Sequence, residues 1–213
     1  MIREKKSENV PASLLKTQLY NGEDVKRQLM EDQHEKCYIC ERKLTTDFEI
    51  EHFKSQNKYP DLAREWSNLF LACGYCNRKK SDSFDNNVNP LTVNIEEDII
   101  QRIDFDNNEA IFQSLVADKQ HDNTVEMLNM LYNGKECVKL RSIKEERFFN
   151  YAKQQVISFL RIIYDYIMNP TKENYDLVTE ALAIDKEFLG FKYWIICDYS
   201  LSADFKNNII WNK

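Results

Sequence analysis

Four of the chain's six cysteines stand in two C-x-x-C pairs, Cys37/Cys40 in KCYICE and Cys73/Cys76 in LACGYCN. Each pair bends backbone around one side of an ion, and two converging pairs supply the four thiolates that tetrahedral Zn²⁺ prefers. Four sulfurs close the coordination sphere, so the expected metal is structural and any chemistry must come from residues 41–72, which lie between the pairs. That stretch exceeds the usual zinc-ribbon gap and has to fold into something of its own. It contains Glu49-Ile50-Glu51-His52. Strand alternation sets Glu49 and Glu51 on one face and leaves His52 at the strand's end, where an imidazole that titrates near neutrality can lean into a cleft. Glu49 has two readings at this point, support for a site or a solvated strand residue. Cys137 and Cys197 stand apart from the pairs and read as buried small hydrophobes.

These residues need elements to carry them. Residues 66–71, WSNLFL, read as a second strand delivering the chain to Cys73, and Asn77 opens a helix through Lys80. The order is strand, loop, strand, knuckle, helix. Upstream, Val25, Leu29 and Met30 fall at helical spacing within residues 22–34. Downstream, the polar residues 81–90 predict a loop, and IIQRIDFD and EAIFQSLV predict a hairpin around Asn107-Asn108. A helix is expected from Thr124. Ser142 and Glu145 have capping-box spacing and open a long helix running through Phe148, Phe149, Val156 and Phe159 to Ile167, which Asn169-Pro170 stops. Thr171 can cap another helix through Ala183, and residues 187–200 form a third. The aromatic stripe of this region reads as core. The fold class is mainly α with a small α+β element. Its organisation is an N-terminal helical segment (1–36), a zinc-braced core (37–91), and a mostly helical C-terminal region packed on that core (92–213).

Composition limits the rest. With only four Gly and four Pro in 213 residues, a many-turned β-sandwich is disfavoured. No apolar run reaches the ~20 residues of a membrane-spanning helix. The stretch MIREKKSENVPASLL lacks the apolar core of an export signal, so a cytoplasmic location is expected. The net charge of −6 is unevenly placed: residues 1–36 and 37–90 are each balanced, and residues 91–213 carry 14 basic and 20 acidic side chains. Non-specific affinity for nucleic acid comes mostly from neutralised phosphates, so tight binding by this chain alone is not expected. The run Arg78, Lys79, Lys80 is the candidate nucleic-acid contact, against the alternative of a solvated helix face. A sequence-specific transcription factor needs a basic recognition helix, and the acidic tail offers none.

Cys37, Cys40, Glu51-His52, Asn68-Leu69, Cys73, Cys76, Asn77 and Lys80 together resemble an HNH endonuclease of the ββα-metal type, in its variant braced by a four-cysteine zinc site. The resemblance implies that His52 is the general base that activates water. It implies that Glu51 and Asn77 hold Mg²⁺ or Mn²⁺ through oxygen, and that Asn68 braces the loop carrying the histidine. Two departures stand out: Glu51 replaces the more usual Asp, and the last position is Asn77 rather than His. Across KCYICE, EIEHF, WSNLFLACGYCN, KKSD and NPL, followed by a hairpin, the helix with TVEMLNMLYN and Arg141, the chain is similar to the HNH subunit of the Septu anti-phage defence system and its retron-associated relatives. This implies a DNA- or tRNA-cleaving defence effector working with an ABC/AAA-like ATPase partner, with self-association among the states it allows. The competing reading is a zinc-stabilised binding or adaptor protein whose HNH motif is inactive.

Overall fold

The computed structural model describes residues 1–16, 19–135 and 138–211. Helices α1 (Ala12–Lys16) and α2 (Glu23–Asp32) come first, and α2 buries Val25 and Leu29 at the expected helical spacing. The first cysteine pair follows as a tight knuckle. Glu41 N–H donates to the Cys37 carbonyl (2.8 Å) and Cys37 N–H to the Arg42 carbonyl (3.0 Å), with Glu41 itself in the left-handed region at φ +60°.

Strand β1 (Glu49–His52) pairs antiparallel with β2 (Leu69–Ala72), in the register Glu49↔Ala72, Glu51↔Phe70 and His52↔Leu69. The second strand is shorter than the sequence predicts, because residues Trp66–Asn68 form a 3₁₀ turn. The turn has uses that a ladder would forbid: Trp66 Nε1–H donates to the Ser7 carbonyl at 3.0 Å, and Asn68 folds its amide back onto the chain after β1. Helix α3 (Gly74–Lys80) starts at Gly74, ahead of Asn77, because Cys73 is its N-cap and accepts the Cys76 N–H on sulfur at 3.4 Å. The knuckle is itself the helix start, so the placement of its two sulfurs and the helix direction are set together.

Residues 81–90 form a loop, as expected, but it turns inward and buries Phe84, Asp85, Asn87 and Val88. Next come α4 (Ile95–Asp98) and the hairpin β3 (Ile99–Asp104) with β4 (Glu109–Ser114), in the register Asp104↔Glu109 around Asn107-Asn108. Helix α5 (Lys119–Asn133) begins earlier than Thr124, since the Asp118 carboxylate caps it by accepting from the Gln120 and His121 N–H groups at 2.8 and 2.9 Å. Helix α6 (Ile143–Met168) carries the full Ser142/Glu145 capping box. Thr171 caps α7 (Lys172–Ala181), and α8 (Leu189–Asp198) closes the bundle.

The aromatic stripe is core. Phe148, Phe149, Val156 and Phe159 of α6 are buried, and Phe148 stacks on Tyr75 of α3 at 4.6 Å. Tyr75 also donates its hydroxyl to the Leu131 carbonyl (2.7 Å), so the last helix of the ββα element is docked on α5 and α6. Cys197 is half-buried on α8 rather than fully buried, and Cys137 lies outside the described residues. Among the described residues no helix is long and apolar enough to cross a membrane.

Candidate active site and metal centre

Cys37 and Cys40 from the first knuckle meet Cys73 and Cys76 from the second, with all four sulfurs within 4.8 Å of one another, all four residues buried, and none in a disulfide. A tetrahedron with Zn–S bonds of ~2.3 Å places its sulfurs roughly 3.8 Å apart, so the cluster has the size and softness that Zn²⁺ requires. Buried thiols packed this closely without an ion would leave four weak, poorly satisfied polar groups in the core. The residues fit the metal.

One strand away, His52 is half-buried at the end of β1. Its Nε2 lies 3.0 Å from the Ala63 carbonyl, which can only accept, so Nε2 carries the proton and Nδ1 is left as the unprotonated, basic nitrogen. Burial lowers the pKa of the ring, the Ala63 bond opposing and the Lys80 charge adding to the effect. A neutral imidazole with one nitrogen committed and one available is the form a general base needs. The segment after His52 is fixed by Asn68, which is buried on all sides. Its Oδ1 accepts the Lys54 N–H at 2.7 Å, its Nδ2 donates to the Lys54 and Leu62 carbonyls at 3.0 Å each, and its own carbonyl accepts the Phe53 N–H at 2.8 Å.

Glu49 and Glu51 share the face of β1 that α3 covers, and each meets a different turn of that helix. Glu49 Oε2 accepts from Asn77 Nδ2 at 2.5 Å, which turns the Asn77 amide oxygen away from Glu49. Gly74 leaves room for this carboxylate: a Cβ there would sit 3.0 Å from Glu49 Oε1. Glu51 is buried. Its Oε1 lies 2.7 Å from Lys80 Nζ, and its Oε2 accepts from the Tyr38 hydroxyl at 2.6 Å. Both carboxylate oxygens therefore have partners inside the protein. Burial raises the Glu51 pKa, with the Lys80 charge and the two hydrogen bonds acting against it.

Glu51, His52 and Asn77 line one polar cavity of about 450 Å³, together with Tyr20, Ser55, Asn57 and Asp82. Its donors suit a hard divalent ion. The Asn77 amide oxygen accepts no hydrogen bond among the described residues, and Lys80 and Tyr38 occupy two of the roughly four acceptor positions of the Glu51 carboxylate. Among the described residues the cysteines are the one His/Cys/Asp/Glu cluster that could hold a metal by itself. A cation in this cavity would thus keep much of its water shell, as Mg²⁺ commonly does.

Comparison with known proteins falls on the same residues. Residues 37–83 match the HNH endonuclease family. The match runs from Cys37 to just past α3, so the part of the chain similar to that family is the whole ββα unit with its cysteine quartet. The chain is also 35% identical over 92 residues to Septu protein PtuB of Bacillus thuringiensis, an alignment covering 39% of this chain. It spans only 35% of the length of that relative. No solved structure matches the chain significantly.

The basic run at the end of α3 divides three ways. Lys80, a candidate nucleic-acid contact by sequence, is not on the surface: its side chain is 0% exposed, and its ammonium is engaged by Glu51 and by the His52 carbonyl at 3.1 Å. Lys79 is 25% exposed and paired with Glu145 of α6. Arg78 stays 66% exposed beside Glu49 at 3.8 Å. Three residues around the site escape sequence reasoning. Tyr38 sits between Cys37 and Cys40 and reads as packing. Asp85, within a polar loop, accepts from the Ser55 N–H (2.8 Å) and hydroxyl (2.7 Å) and so ties residues 81–90 to the segment after His52. Tyr20 lies far from the motif in sequence, and no local signal marks it.

Proposed function

We propose that this chain is a metal-dependent HNH endonuclease that hydrolyses phosphodiester bonds in nucleic acid and serves as an anti-phage defence effector. The observation that carries the reading is the His52 imidazole, held through Nε2 by Ala63 and with Nδ1 unprotonated, in a cavity shared with Asn77. His52 Nδ1 takes the proton of a water molecule as that water's oxygen bonds to phosphorus and the bond from phosphorus to the 3′ oxygen breaks. Asn68 keeps the base in place by pinning Lys54, and Glu49 fixes the orientation of the Asn77 amide. A divalent ion held by Glu51 and Asn77 would supply charge neutralisation at the phosphate and at the departing oxygen. The family match to residues 37–83 and the PtuB similarity support the nuclease and defence roles.

DNA is the first substrate to test and tRNA the second. A balanced charge over residues 1–90 and an acidic remainder give this chain little pull on phosphates, which supports delivery of substrate by an ATPase partner. A second reading, an adaptor with an inert motif, is favoured by one observation: both Glu51 oxygens already have partners. Supercoiled plasmid and total tRNA, incubated with Mg²⁺ or Mn²⁺ and the wild-type or His52→Ala protein, separate the two, each with and without an ATPase encoded beside it. Cleavage that His52→Ala abolishes supports the nuclease. No cleavage in any combination supports the adaptor.

A further inference from the structure

We infer that Tyr20, outside the HNH element, is a positioning residue that holds the His52 imidazole in its base-competent pose; this rests on the reading of His52 as the general base. A ring held by one hydrogen bond can still pivot about that bond, and the Ala63 carbonyl gives His52 only one. The second restraint comes from Tyr20, whose ring meets the imidazole edge-on, with centroids 4.6 Å apart and planes at 70°. Aromatic rings prefer this edge-to-face geometry. Tyr20 lines the same cavity as His52 and Asn77, so the contact lies at the site itself.

The fold takes trouble to place it. Tyr20 stands in the turn between α1 and α2, and the Asp24 carboxylate closes that turn by accepting the Ser13 N–H at 2.9 Å. Gly22 is required there, because a Cβ would lie 2.5 Å from Ser13 Oγ. The Tyr20 hydroxyl makes no hydrogen bond among the described residues, so what the fold uses is the ring. Tyr20 is half-buried and packs against the edge of the core, and the aromatic ring it meets there is that of His52.

The chain has three histidines, which makes His52 directly observable: ring ¹⁵N spectra of histidine-labelled protein, assigned with His52→Ala, report its tautomer and mobility without any turnover. Wild type and Tyr20→Phe should both show a sharp Nε2-protonated ring, and Tyr20→Ala a broadened, tautomer-averaged one, with zinc content and circular dichroism unchanged. In cleavage assays Tyr20→Ala should lower kcat by roughly ten- to a hundredfold at near-constant KM, the scale of a small misplacement of a reacting group, and Tyr20→Phe should restore it. An unaltered His52 spectrum in Tyr20→Ala overturns the proposal. So does a loss in Tyr20→Phe equal to that in Tyr20→Ala, which would mean the hydroxyl acts on substrate. If wild type cuts nothing, the nuclease reading fails by that result, and the spectra still decide whether Tyr20 orders the ring.

Discussion

Lys80 Nζ and Glu51 Oε1 face each other at 2.7 Å between the last turn of α3 and the middle of β1, with side-chain exposures of 0% and 4%. The same ammonium donates to the His52 carbonyl and lies 3.8 Å from Asp85 Oδ1. One buried cation therefore binds the helix, the strand, the main chain of the proposed base and the loop behind it. Burying the pair is costly, and the compensation lies in the number of partners, including the Tyr38 hydroxyl on Glu51.

Removing one member of the pair should be far worse than removing both. Lys80→Met leaves Glu51 charged or protonated without its counter-ion, and a loss of about 3–5 kcal/mol is expected. Adding Glu51→Gln should recover more than half of that, because the residual amide can still accept from Tyr38. Urea unfolding of the two single variants and the double variant measures the coupling. Additive losses would show that the pair does not act as a unit.

The cysteine quartet and the histidine should separate cleanly. Structural Zn²⁺ contributes on the order of 10 kcal/mol to small domains, so Cys37→Ser or Cys73→Ser should release the metal and melt the ββα element. His52→Ala touches no sulfur and should keep zinc, helicity and thermal stability. Metal analysis and circular dichroism of the purified variants decide this. Zinc loss in His52→Ala equal to that in Cys73→Ser would mean the ligand assignment is wrong.

Two buried carboxylates give stability an unusual pH dependence. Burial pushes Glu96 up to about 7 and Glu4 up to about 8, from an ordinary value near 4.5. Glu96 accepts the Arg3 N–H at 2.7 Å, and both groups lie where the N-terminal residues pack on α4 and the loop before it. Below pH 4.5 both folded and unfolded chains hold these protons. Between 4.5 and 7–8 the folded chain keeps protons that the unfolded chain has released, so these two groups make stability fall as pH rises. For Glu96 alone the ceiling is about 3 kcal/mol. Glu96→Gln cannot ionise, yet its amide oxygen can still accept from Arg3. It should be more stable than wild type at pH 8 by about 1–3 kcal/mol and little different at pH 5. Urea midpoints at the two pH values test this, and a Glu96→Gln that is no more stable at pH 8 would reject it.

Sequence reading succeeds here where one local interaction decides the outcome. The Ser142/Glu145 box starts α6, Thr171 starts α7, Asn107-Asn108 turns the hairpin, and the C-x-x-C spacing brings the sulfurs together. It falls short where a side chain does something its type does not usually do. A cysteine caps α3, so the helix starts before Asn77, and Trp66 and Asn68 turn inward, so the second strand starts late. The candidate site was legible as far as residue identity. The pairing of Lys80 with Glu51, of Glu49 with Asn77 and of Tyr20 with His52 depends on contacts between distant chain positions, which no local pattern encodes.

The basic run offers a last test, because its three charges have such different surroundings. Arg78 is exposed and its nearest carboxylate, on Glu49, is 3.8 Å away, so its guanidinium can exchange that weak contact for a phosphate at little cost. If it does, Arg78→Ala should weaken binding to unrelated sequences alike and reduce the slope of log K against log salt by about 1. Lys79 is already paired with Glu145, whose other oxygen accepts the Ser142 N–H in the α6 capping box. Lys79→Ala should therefore loosen the packing of α3 on α6, costing about 1 kcal/mol of stability, while moving the salt slope much less than Arg78→Ala does. Fluorescence anisotropy with a labelled duplex across a salt series, using His52→Ala as background, reads both slopes. Equal slopes for the two variants, or an unchanged slope for Arg78→Ala, would remove this helix from the nucleic-acid path.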